Sequence, residues 1–324
     1  LMNPRFNFFF NIIFNRYSNV IKILKYKDWK NIIISKNKEN YFKDINSTED
    51  FFKVCNEDSF NSEIFYHIFL ELKEKRIKIK LKRNNKQKKI FKNLFILNII
   101  NNIIHFFAKN NNVFLLNCYF GRWREIFLNL RLMQLPYLNA TQLPLKNYVY
   151  NHKLRENLIK KLKKKNDLKF VKICKNMIIK YMPKSYLEAF GENMSNVSKL
   201  ALPNKPKLIV TSSNYNTNDS FKFWLMKNIK RGSRFYSFQH GAGYLSIKYK
   251  WWGDITDIVD IFFAWGKKEK LLNFKTIGYS RFISKRLPSK TKIKKYILLV
   301  SKENERKYQL WDVEEENYFF FKKN

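Results

Sequence analysis

Apolar runs alternate along the chain with polar connectors, and their spacing sets the expected elements. VFLLNCYF (113–120) is a continuous apolar run between Asn110–Asn112 and Gly121, the pattern of a buried strand. RWREIFLNLRLMQ (122–134) then places Trp123, Ile126, Phe127 and Leu130 on one helical face, and Pro136 ends it. KLIVTSS (207–213) reads as a second strand after Pro203 and Pro206. Asp219 stands at the expected N-cap of the helix FKFWLMKNIK, which Gly232 closes. RFYSFQH (234–240), DIFFAWG (260–266), KTIGYS (275–280) and KKYILLVS (294–301) read as further strands. Helices are expected around 60–75, around 89–107, and over the basic stretch 152–182 up to Pro183. Short apolar strands alternating with helices predict an α/β fold around a mostly parallel sheet. Before residue 110 motif content is low, and no internal repeat is present.

At 324 residues the chain is long enough for one large or two medium domains. Apolar residues at 45% and aromatics at 17% exclude a disordered chain. The net charge of +38 raises the question of nucleic acid. Lysine greatly outnumbers arginine and is spread evenly, in step with abundant Asn, Ile, Phe and Tyr, all spelled by A/T-rich codons. The charge therefore reads as base composition and solvated faces rather than a nucleic-acid patch, leaving a weak pull toward anionic membrane surfaces. Cys55, Cys118 and Cys174 are odd in number and widely spaced, so neither a disulfide framework nor a zinc site is expected. FFFNIIF (8–14) is too short to span a bilayer, and Asn98, Asn101 and Asn102 interrupt the apolar stretch 94–107. A cytoplasmic protein, at most peripheral to the inner membrane face, is expected.

Three segments could carry chemistry. FQHGAGY (238–244) ends a strand on Gln239–His240 and follows it with Gly241 and Gly243. That places an imidazole at the carboxyl edge of a parallel sheet, where ligands bind in open α/β folds. His240 can act as a general base, and the two glycines let backbone N–H groups approach a phosphate or sugar. The competing reading is a structural histidine beside a glycine turn. TSSNYNTNDSFKFW (211–224) leads from a strand end into a helix N-terminus, suited to anions, with Ser212, Ser213 and Asn214 as donors; an ordinary capped helix is the competing reading. WWGDITDIVDIFFAWG (251–266) carries Asp254, Asp257 and Asp260 three apart, a spacing that does not guarantee a metal site. Its tryptophans suit either sugar stacking or the core. No P-loop, GxGxxG, HExxH or GxSxG motif occurs, which argues against a P-loop NTPase, a standard dinucleotide dehydrogenase, a zincin and an α/β-hydrolase.

In order, PKSYLEAF (183–190), PKLIVTSSN (206–214), NDSFKFW (218–224), FQHGAGY (238–244) and DIFFAWG (260–266) resemble a family of bacterial transferases linked to surface-carbohydrate (lipopolysaccharide and capsule) biosynthesis. The His240 loop and IGYSR (277–281) are also distantly similar to the CDP-glycerol glycerophosphotransferase group. The resemblance implies a GT-B-like architecture of two Rossmann-type domains. Residues 1–110 would be a poorly matched N-terminal part of the first domain, 111–290 its acceptor-side Rossmann-like part, and 291–324 the start of a truncated donor-binding domain. It further implies a transferase using a nucleotide-activated donor as substrate, with no cofactor or metal, and a glycan or lipid-linked acceptor. His240 would be catalytic. Gln239, Gly241, Gly243, Tyr244, Ser212, Ser213, Asn214, Asp219, Lys222 and Asp260 would bind substrate. Ala242, Leu245 and Lys267 depart from the family pattern. The alternative is a truncated, non-catalytic module that binds glycan or a partner chain.

Overall fold

The computed structural model describes residues 3–25, 31–37, 45–55, 57–82, 95–138, 148–162, 164–241, 258–266 and 273–278. Two layers share one helix. The N-terminal layer holds α1 (Asn3–Lys25), β1 (Ile32–Asn37), α2 (Thr48–Cys55), α3 (Asp58–Glu71) and β2 (Ile77–Lys82). In α1, Phe9, Ile12, Ile13 and Val20 recur at helical spacing and are buried. They pack with Phe60, Ile64 and Ile68 of α3, so the apolar N-terminus is a core helix. β1 and β2 pair in parallel, Ile32 opposite Ile77, which requires the intervening helices to cross over. Neither strand was expected from the sequence, although IKIKLK alternates apolar and polar residues with the period of a half-buried strand.

The second layer is a five-stranded sheet of β3 (Val113–Leu115), β4 (Leu208–Val210), β5 (Arg234–Phe238), β6 (Ile261–Ala264) and β7 (Phe274–Thr276). All neighbours are parallel, and strand order follows chain order. The expected parallel α/β sheet is thus present. Successive side chains face opposite ways. Phe114, Ile209, Phe235 and Phe262, all fully buried, pack on one face with Phe221, Trp224 and Leu225 of α10 (Asp219–Ile229). Leu115, Val210 and Phe238 line the other face with Leu128 of α5 (Arg122–Arg131).

Between β3 and β4 run α6 (His152–Leu162), α7 (Lys169–Tyr181) and α8 (Phe190–Asn196), so the expected single helix 152–182 is two. α7 joins the layers: Ile173, Cys174, Met177 and Tyr181 face the N-terminal core, and Ile179 faces the sheet core. Arg155 is buried and locks this region. Its guanidinium pairs with Glu188 through both carboxylate oxygens at 2.7 Å and donates to the carbonyls of Ile179, Lys180 and Met182 at the end of α7. One further correction concerns α10: Asn218, not Asp219, is its N-cap, accepting from Phe221 N at 2.9 Å. Gly232 closes that helix as expected, at φ +91°. α4 (Phe95–Ala108) precedes β3, and the single turn α9 (Asn214–Thr217) lies between β4 and α10. The cysteines are buried free thiols, and no described helix is long and apolar enough to cross a membrane. The strand expected at 294–301 lies outside the described residues.

Candidate functional site

Because the strands are parallel, their carboxyl ends share one edge, and the loops leaving β3, β4 and β5 form a continuous rim there. The first loop is held in a demanding conformation. Asn117 (φ 54°), Tyr119 (φ 62°) and Gly121 (φ 90°) all occupy the left-handed region. Asn and Gly adopt it readily, but Tyr119 does so against its side chain, at about 1–2 kcal/mol. What holds the loop is Glu125, from the first turn of α5. Its carboxylate accepts from the backbone N–H of Asn117 (3.0 Å) and of Cys118 (2.5 Å). Burial raises the Glu125 carboxyl above its ordinary range, although bonds from the backbone at Cys118, Asn117 and Tyr119 oppose the shift.

The β4 loop packs beside it. Ser212 N donates to Asn117 O at 3.0 Å, and Asn117 Nδ2 donates to Asn214 Oδ1 at 2.6 Å. The Ser212 hydroxyl is fully buried and meets no hydrogen-bond partner among the described residues. The β5 loop brings His240, whose ring lies 5.7 Å from that of Tyr119. Burial lowers the His240 pKa below its ordinary value, partly offset by a hydrogen bond with the Ser212 backbone. The imidazole is therefore neutral near pH 7, the form able to take a proton. Gln239 fixes its approach: Nε2 donates to Gly241 O (2.7 Å), and Oε1 accepts from Trp265 N (3.0 Å), tying the loop to the end of β6.

Alongside this rim opens a cavity of about 480 Å³, lined by Asn117, Tyr119, Arg122, Glu125, Tyr137 and Ser213 among others. Arg122 opens α5, where unpaired N–H groups and the helix dipole favour an anion. Among the described residues no group of three His, Cys, Asp or Glu side chains converges to hold a metal.

The structure thus brings together Gln239, His240, Gly241, Ser212, Ser213 and Asn214. Asp219 and Lys222 lie apart, in a buried polar network. Asp219 accepts from Thr48 N (2.8 Å), the Thr48 hydroxyl, Ser185 Oγ (2.9 Å), Tyr186 OH (2.7 Å) and Lys222 Nζ (3.0 Å). Burial would raise this carboxyl, but the Lys222 ammonium and the bonds from Thr48 and Tyr186 outweigh it and hold the pKa below the ordinary value. Thr48 belongs to the N-terminal layer, so this network fastens the two layers together. Asp260 lies at the opposite, amino-terminal edge of the sheet, exchanging hydrogen bonds with the backbone of Phe235. Gly243 and Tyr244, with Asp254, Asp257, Trp251 and Trp252, fall outside the described residues.

Sequence reasoning missed Asn117, Tyr119, Arg122 and Glu125. The available signal was Gly121 between a strand and an Arg-rich helix start. Thr48 carried no signal.

Searches of curated proteins and of solved structures returned no match. A family model described as "LIC12162 family transferase" matches residues 4–322, almost the whole chain including the N-terminal layer, and the chain belongs to that family.

Proposed function

We propose that the protein transfers a glycosyl or glycerophosphoryl group from a nucleotide-activated donor to a hydroxyl of a glycan or lipid-linked acceptor in surface-polysaccharide synthesis, with His240 as general base. The observation that carries this reading is the convergence of three strand-end loops on a half-buried, neutral imidazole beside a cavity lined by Arg122. His240 takes the acceptor proton as the oxygen attacks the anomeric carbon or phosphorus, and the nucleotide leaves with the bonding electrons. Arg122 and the start of α5 balance negative charge on the phosphate. Ser213, Asn214 and the Gly241 backbone lie on the same rim to orient the reacting oxygens, while Ser212, fully buried, positions His240 through its backbone. Asp219 and Lys222 act at one remove, by holding the layer from which Thr48 reaches α10.

The test is nucleotide release by the purified protein from CMP-, CDP-, UDP- and GDP-linked donors, with glycan and lipid-linked acceptors. His240→Ala should lower the rate by about 10²–10⁴. Turnover close to that of the unmodified protein would exclude the base role.

A further inference from the structure

We infer that the outward face of α5 is a docking surface for an anionic lipid bilayer. Trp123, Phe127 and Leu130 share one helical face by spacing, and that face points away from the core. Trp123 is 84% exposed, Phe127 57% and Leu130 55%, and Met133 just beyond the helix is 95% exposed. Large apolar side chains grouped in this way on a protein surface mark an interaction site.

The chemistry of the rim selects the occupant. Arg124 and Arg131 lie on α5, with the Arg131 guanidinium 5.0 Å from the Phe127 ring. Trp, Phe, Leu and Met flanked by Arg are the composition of a helix that lies in a membrane interface, apolar face down and cations among the headgroups. A second copy of this chain would face the same cations across the symmetry axis, which disfavours self-association. The helix is also anchored from beneath. Gln134 Nε2 donates both to Asn129 Oδ1 (3.0 Å) and to Val113 O of β3 (2.7 Å), and Leu128 packs under the sheet. The apolar face therefore cannot turn inward without breaking these contacts. Arg122, Glu125 and Ile126 of the same helix line the cavity, so docking would set the candidate site beside the bilayer. The inference is independent of the catalytic reading, because lipid binding is measured without turnover.

The experiment is flotation of the whole protein with vesicles of phosphatidylcholine, with and without phosphatidylglycerol. Binding is expected to the anionic vesicles and to weaken with added salt. Trp123→Ser combined with Phe127→Ser should weaken it about tenfold. Arg124→Gln with Arg131→Gln should weaken it roughly 30-fold, whereas the matched removal of charge by Lys160→Gln with Lys161→Gln should cost about threefold or less. Unchanged circular dichroism and unfolding midpoints would show that the variants fold. Failure to bind anionic vesicles overturns the inference. So does equal loss in the α5 and Lys160/Lys161 variants, which would mean unspecific attraction by the net charge. A concentration-dependent dimer abolished by Trp123→Ser, without vesicle binding, would assign the face to a second copy instead.

Discussion

Asp219→Ala should loosen the attachment between the two layers. The carboxylate is the only acidic group within reach of the Lys222 ammonium among the described contacts, and Lys222 is just 3% exposed. Without Asp219, Lys222 Nζ keeps Tyr186 OH (2.8 Å) and Thr48 Oγ1 (3.1 Å), which solvate it but carry no charge. Breaking a buried pair by removing one partner costs about 3–5 kcal/mol. The hydroxyls of Thr48, Ser185 and Tyr186 can turn to one another, so their losses should not add in full. For a domain of this size, about 4 kcal/mol corresponds to a midpoint lower by roughly 10 °C. Asp219→Ala with Lys222→Met removes both charges and should recover about 2 kcal/mol relative to the single variant. The pH dependence follows from the lowered pKa of Asp219. A depressed carboxylate contributes stability above its unfolded value and loses it as pH falls through the folded value, so this contribution should be constant from pH 7 to 5 and fail below about pH 4. Denaturant unfolding measures the energies, and hydrogen exchange at 45–55 reports whether the N-terminal layer detaches first. Single variants within about 1 kcal/mol of the unmodified protein, or a double variant equal to the sum of the singles, would refute the reasoning.

Arg155→Ala leaves Glu188 buried without its cation and uncaps the end of α7; a loss of about 3–5 kcal/mol is expected in denaturant unfolding, with Glu188→Gln milder. His240 should titrate below about 6.5 by NMR, and Tyr119→Ala, by letting water reach the ring, should move it back toward that value. Because the folded pKa is the lower one, His240 favours the folded state less as pH falls below about 6.5, and the acid limb of kcat/KM should lie below the same value. Trp123→Ser alone should change stability by no more than about 0.5 kcal/mol, since the side chain is already in solvent.

Much of the sheet was legible in the sequence because its strands are buried on both faces. LIV at 208–210, RFYSF at 234–238 and IFFA at 261–264 are short apolar runs closed by polar turns, and such runs have few other uses. His240 was likewise placed by its neighbours, a strand ending just before a glycine. IKIKLK carries the period-2 alternation of a strand, but the pairing of β1 with β2 was not legible, because each depends on the other across 45 residues of sequence separation between Ile32 and Ile77. Periodicity put Trp123, Phe127 and Leu130 on one face of α5 but could not tell that the face looks outward; that follows from which side of the helix Leu128 and Asn129 present to the sheet. The motifs around Tyr186, Glu188, Asp219 and Lys222 could be recognised by residue type, yet their meeting with Thr48 and Arg155 was beyond the sequence. A buried ion finds its partners through packing, and Thr48 reaches Asp219 from 171 positions away only once α7 has brought the two layers together.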